Sequence, residues 1–80
     1  MKVIDLFKMK AVNYHGTEVH VPENINFIAT DKSGKTIGFE DRPIPDVEFN
    51  WWDNPNCSDM YEIGTFDLEG THWTETLVEL

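Results

Sequence analysis

The sequence predicts a mainly β-stranded domain of about five or six antiparallel strands in meander order, closing into a small barrel or one strongly twisted sheet. Three observations carry that expectation. Short runs rich in Val, Ile, Phe, Thr and Trp recur between clusters of Gly, Pro, Asn and Asp. Apolar and polar residues alternate inside several of these runs. The last of them, Thr71–Val78, is built from Thr, Trp and Val, which suit a pleated, half-buried surface. With 80 residues there is room for one domain, residues 1–80, and one core.

The elements follow in chain order. Val3, Ile4 and Phe7 fit one helical turn as well as a strand, and we read them as the start of a long first strand. A hairpin follows: Met9–Tyr14, a His15-Gly16 turn, then Thr17–Val21 with Val19 and Val21 alternating with Glu18 and His20. Gly16 supplies the backbone freedom of the reversal, and Pro22 closes the second strand. The best-defined unit is the next hairpin, Ile25–Thr30 and Lys35–Glu40 around Asp31-Lys32-Ser33-Gly34, the residue types that a tight reversal selects. Pro43 and Pro45 then end pairing, because each removes a donor. Residues 43–60 read as an irregular loop around the aromatic run Phe49-Asn50-Trp51-Trp52. A last hairpin is expected from Tyr61–Phe66 and Thr71–Val78 about a turn at Asp67–Gly70.

Charge is the most informative bulk property. The formal net charge is −9, with all six basic residues and six acids in residues 1–42. Residues 43–80 hold nine acids and no Lys or Arg. That balance argues against direct binding of nucleic acid or of an anionic membrane, both of which need basic side chains to meet phosphate. The single cysteine, Cys57, has no partner for an internal bridge, which favours a reducing compartment, with the cytoplasm as the default. The start of the chain is broken by Asp5 and Lys8 and lacks the apolar stretch of a signal peptide.

Val21-Pro22-Glu23, the hairpin Phe27–Gly34 with Phe39-Glu40 and Pro43, and the ending Trp73…Leu77-Val78-Glu79-Leu80 together resemble short reading frames common in tailed-phage and prophage genomes. The similarity spans roughly the whole chain. It implies a phage or prophage origin and action inside a bacterial cell, and it transfers no catalytic residue.

Two features single out candidate binding residues. Asp46/Glu48 and Asp67/Glu69, if extended, would each set two carboxylates on one face roughly 6.7 Å apart, comparable to neighbouring phosphates on a nucleic-acid strand. Such a face suits the basic groove of a nucleic-acid-handling protein, and its field would speed encounter. The same charge serves solubility with no partner at all. Secondly, adjacent residues of a strand point opposite ways, so at most one of Trp51 and Trp52 enters one core easily. The other, with Asp53 beside it, is a candidate contact, since exposed Trp is enriched at binding hot spots. A loop folded over the sheet and burying both is the plainer alternative.

Chemistry is weakly represented. His15, His20, His72 and Cys57 match no zinc spacing, with His15 expected in a turn and His20 and His72 on solvent faces of strands. Asp53, Asp59 and the neighbouring Asn side chains lack the ligand spacing of a calcium loop. Cys57 has no neighbouring base to make it a nucleophile. Asp31–Gly34 is a turn and not a phosphate cradle. The expectation is a non-enzymatic interaction protein without cofactor or metal that blocks a host protein with a basic surface. The alternative is a small assembly component forming homo-oligomers through open strand edges.

Overall fold

A computed structural model describes residues 1–3 and 8–80. The described chain is mainly β, with eight strands in antiparallel sheets, none closed into a barrel. The expected start of the first strand at Ile4 and Phe7 lies outside the described residues.

Strands β1 (Met9–Tyr14) and β2 (Thr17–Pro22) form the first hairpin as expected, with Val12 opposite Val19 and Tyr14 opposite Thr17. His15 and Gly16 both have positive φ, the conformation a two-residue reversal needs to match strand twist. Tyr14, Val19 and Val21 point to one side and are buried there, as a period of two requires.

Strands β3 (Phe27–Thr30) and β4 (Lys35–Phe39) form the second hairpin, also as expected. Its turn is held by one carboxylate oxygen: Asp31 Oδ1 accepts the N–H groups of Ser33 (2.9 Å) and Lys35 (3.2 Å). Gly34, at φ +94, also lies so close to the carbonyl oxygen of Phe66 that an added Cβ would stand 2.5 Å from it.

This hairpin is the centre of a four-stranded sheet of order β7-β4-β3-β8, where β7 is Met60–Thr65 and β8 is Val78–Glu79. Ile28 and Thr30 alternate with Phe27 and Ala29, so the sheet has two distinct faces. On the first, Ile28 joins Tyr14, Val19, Val21 and Ile25 in the core, with Val12, Ile63, Phe66 and Val78 packed around them. On the second, buried Ala29 and Phe39 meet a further hairpin, β5 (Ile44–Asp46) and β6 (Trp51–Asp53), through its tryptophans.

Two expectations are corrected. Residues 43–60 are not wholly irregular: Ile44, Pro45 and Asp46 pair with Asp53, Trp52 and Trp51. Pro45 is tolerated because both strands of a two-stranded ribbon are edges. Nor do Tyr61–Phe66 and Thr71–Val78 form a hairpin, so the strand order is not a meander. β7 pairs with β4, with a bulge between Thr36 and Ile37, while β8 crosses to the far side of the sheet and pairs with β3. Between them Trp73–Glu75 makes one 3₁₀ turn, and His72 caps it through its ring nitrogen in place of lying on a strand. The reason is parity. Trp73 and Thr76, three residues apart, are both buried. An extended strand would send them to opposite faces, whereas one 3₁₀ turn brings i and i+3 to the same side.

β8 covers only Phe27 and Ile28, yet Thr30 further along the same edge is buried. Side chains complete the ladder there. The Thr76 hydroxyl accepts the Thr30 N–H (2.9 Å) and donates toward the Thr30 carbonyl (2.9 Å). The Trp52 indole N–H donates to that same carbonyl (2.9 Å).

Candidate functional site

The β5–β6 hairpin separates its two tryptophans as strand parity demands. Trp52 turns inward, half-buried, anchored through Nε1 to Thr30 and set edge-on against Trp73 with ring centres 6.0 Å apart. Trp51 turns outward and remains 50% exposed. Its ring stacks on that of Phe49 at 5.3 Å and 26° between planes. One member of the pair is therefore structural, and the other is presented.

The turn that carries Phe49 is held from both sides. Asp46 Oδ1 accepts the N–H groups of Glu48 (3.1 Å) and Phe49 (3.3 Å), a local bond pattern that replaces ladder bonds at a reversal. Asn50 takes a positive φ of 60° and its carbonyl accepts the Lys32 N–H (3.2 Å), tying the turn to the β3–β4 reversal. The backbone that carries the aromatic stack is thus tied down at both ends of the turn.

Met60, more than half exposed, adjoins Trp51 and extends the apolar surface. A hollow of about 180 Å³ between Trp51, Trp52, Ile37, Phe39 and Met60 opens on the second face of the sheet. A neighbouring one of about 400 Å³ is bounded by Trp51, Asp53, Asn54, Cys57 and Met60. Large side chains gathered at a surface are what mark interaction sites.

Of the acids expected to contribute, the fold brings three to this surface and leaves two elsewhere. Asp46 stands directly across the ladder from Trp51, Glu48 precedes Phe49 in the turn, and Asp53 follows two residues after Trp51 on β6. Asp67 and Glu69 line a different hollow of about 310 Å³, with Tyr14, His15, Phe66 and Thr76. Neither carboxylate pair is extended. Glu48 lies in a turn, and Asp67 Oδ1 accepts the Glu69 N–H (2.9 Å) while Glu69 has φ +49. The strand-like carboxylate repeat is therefore absent at both places. Among the described residues the ion pairs are Lys35–Glu62 (3.8 Å) and Arg42–Glu79 (3.4 Å), so none of these five acids is matched by a base.

Phe49, which the sequence already groups with the two tryptophans, and Met60 complete the surface. Phe49 had a signal, since residues 49 and 51 share parity. Met60 had none, because it arrives beside Trp51 only through the pairing of β7 with β4.

The remaining polar groups are tied into the fold by hydrogen bonds. In the Tyr14 hollow a chain of hydroxyls runs from Tyr14 to Thr30 (2.7 Å), on to Thr36 (2.7 Å) and ends on the Gly34 carbonyl (3.2 Å). That carbonyl only accepts, which sets the direction of donation along the chain. Burial pushes the Tyr14 phenol above its usual 10.0, opposed by the hydroxyls of Thr30 and Thr76. The His15 ring donates from Nε2 to the Thr76 carbonyl (2.8 Å). Every buried side-chain N or O among the described residues has a hydrogen-bond partner. Cys57 is exposed on its loop. Among the described residues no three His, Cys, Asp or Glu side chains are grouped to hold a metal ion, and no helix is long and apolar enough to cross a membrane.

No protein-family model, curated protein or solved structure matches the chain, and none of these comparisons links it to phage proteins.

Proposed function

We propose that this chain is a non-enzymatic interaction protein that docks on a partner through the tip and outer surface of the β5–β6 hairpin. The observation that carries the reading is the division of labour between two adjacent tryptophans. Trp52 is spent on the fold, whereas Trp51, stacked on Phe49, is half exposed. An aromatic anchor rimmed by polar groups is the usual form of a binding hot spot. Asp46, Glu48 and Asp53 make that rim acidic, and the overall charge of −9 steers the protein toward a basic surface. The partner in this reading is a host protein with a basic groove, such as a nucleic-acid-handling enzyme of a bacterial cytoplasm, and the outcome is inhibition by a phage- or prophage-type protein. Asp67 and Glu69 contribute steering from a separate surface.

The test is a pull-down from bacterial lysate with the wild type, Trp51→Ala, and the double substitution Glu48→Gln/Asp53→Asn. The reading expects one protein retained at low salt by the wild type, lost at moderate salt, and weakened by both variants. Retention that ignores Trp51 and the acids alike refutes it.

A second reading, self-assembly, draws on the edge strand β7, where Met60, Tyr61 and Glu62 are all exposed. The bulge on this strand and the charge of Glu62 oppose it, since both blunt an edge. A sedimentation mass well above one chain would favour assembly.

A further inference from the structure

We infer that the Phe49–Trp51 stack, with Asp46 across the ladder and Glu48 and Asp53 beside it, is a seat for an arginine side chain from a basic protein segment. The inference rests on the reading that this hairpin faces the partner, and it names the chemistry of the contact.

The molecule contains a worked instance of the same arrangement. Phe27 on β3 stands opposite Glu79 on β8. Arg42 lies over that pair, its guanidinium carbon 5.6 Å from the centre of the Phe27 ring and its Nη1 3.4 Å from Glu79 Oε1. An aromatic ring and a carboxylate, opposed across an antiparallel ladder, thus receive one guanidinium by ring face and by ion pair together. Asp46 and Trp51 form the same kind of opposed pair on β5 and β6. There the ring is Trp, whose face attracts cations more strongly than that of Phe. Both turn bonds of Asp46 fall on Oδ1, so its other oxygen carries neither of them. Residues 43–80 contain no Lys or Arg, and Lys35, which lines the hollow beside Trp51, is paired with Glu62 (3.8 Å) and not with these acids.

Arginine fits this geometry better than lysine. A planar guanidinium stacks on a ring while its in-plane donors reach carboxylates at the ring's edge, whereas an ammonium is a strongly hydrated point charge. Bulk electrostatics alone would treat the two cations equally.

The experiment is a titration of the ¹⁵N-labelled protein with two capped peptides of equal charge, alternating Arg-Gly and alternating Lys-Gly, at low salt. The indole N–H signals of the three tryptophans are followed together with the backbone amides. The expected result is movement of the Trp51 indole and the Phe49 amide, with Trp52 and Trp73 indoles unmoved. The arginine peptide should bind about two- to fivefold more tightly, the ratio expected when the guanidinium makes an exposed cation–π contact that the strongly hydrated ammonium forgoes. Trp51→Leu should erase that preference with the rest of the spectrum retained, and Glu48→Gln/Asp53→Asn should weaken both peptides. Equal affinities, or shifts centred on Asp67 and Glu69, would overturn the inference. A lysate partner that needs Trp51 but shows no arginine preference overturns this inference alone. Arginine preference without any lysate partner overturns the earlier reading alone.

Discussion

Replacing Thr76 by Val removes one oxygen and keeps the side chain's shape, and the structure says how much that oxygen does. The hydroxyl stands in for the missing length of β8: it accepts the Thr30 N–H, and its single proton is shared between the carbonyls of Thr30 and Trp73 (2.9 and 2.8 Å). The Thr30 carbonyl keeps the Trp52 indole, and the Trp73 carbonyl keeps the Thr76 N–H (3.3 Å). What is stranded is the Thr30 N–H, on a residue that is 1% exposed. A buried donor left unpaired costs about 1–3 kcal/mol, and losing a hydroxyl with several good bonds places this case near the upper half, about 2–3 kcal/mol. Against a total stability of about 4–12 kcal/mol for a chain of this size, that is a large fraction. The melting temperature should fall by about 10–20 °C. Thermal and urea unfolding, followed by tryptophan fluorescence and circular dichroism, measure the loss. Native-state hydrogen exchange adds a local readout, because the Thr30 amide should lose its protection below the global limit. Thr76→Ser is the control, keeping the hydroxyl and removing only a methyl, for about 1 kcal/mol. If Thr76→Val is as stable as the wild type, or if Thr76→Ser is the worse of the two, the hydroxyl is not a substitute strand partner.

Three further outcomes are expected. Because burial raises the Tyr14 pKa, the native state keeps a proton that the unfolded chain releases above about pH 10, so stability present below that pH is lost as pH rises through it. Tyr14→Phe should remove this alkaline slope in urea midpoints, at a cost of about 1–2 kcal/mol near neutral pH. Gly34→Ala should cost about 2–4 kcal/mol in the same assay, since it combines a left-handed backbone with a Cβ 2.5 Å from the Phe66 carbonyl oxygen. The two tryptophans should behave oppositely: Trp52→Ala loses about 2–4 kcal/mol of stability, whereas Trp51→Ala loses less than about 1 kcal/mol and shows its effect in partner binding.

Much of the fold was legible in the residues because the signals involved are local. The Asp31–Gly34 and His15-Gly16 reversals, and the alternation on either side of each, depend on turn chemistry and side-chain parity that neighbouring residues carry themselves. Parity also limited Trp51 and Trp52 to no more than one easily entering one core, without excluding a loop that buries both or saying which would turn inward. The β5–β6 ribbon was missed because two prolines outweigh the pairing of three short residue pairs, and nothing local says that both strands will be edges. Thr71–Val78 was misread because β propensity reports fit to a half-buried pleat, and here Trp73 and Thr76 gained more by being buried together on one 3₁₀ turn.

Composition and order along the chain determined by themselves that this would be a small acidic β protein with two reliable hairpins and an aromatic run of which no more than one tryptophan easily enters one core. Tertiary structure alone decided that Trp51 stays exposed while Trp52 turns inward, that Met60 extends the Trp51 surface, and that Asp67 and Glu69 line a different hollow from Asp53. It also decided that the last strand crosses to pair with β3. The physical reason is range. Turns and alternation are settled by forces between residues a few positions apart, whereas the choice of strand neighbour and of buried ring depends on which distant surface, here the bare edge at Thr30, still needs partners for its N–H and C=O groups.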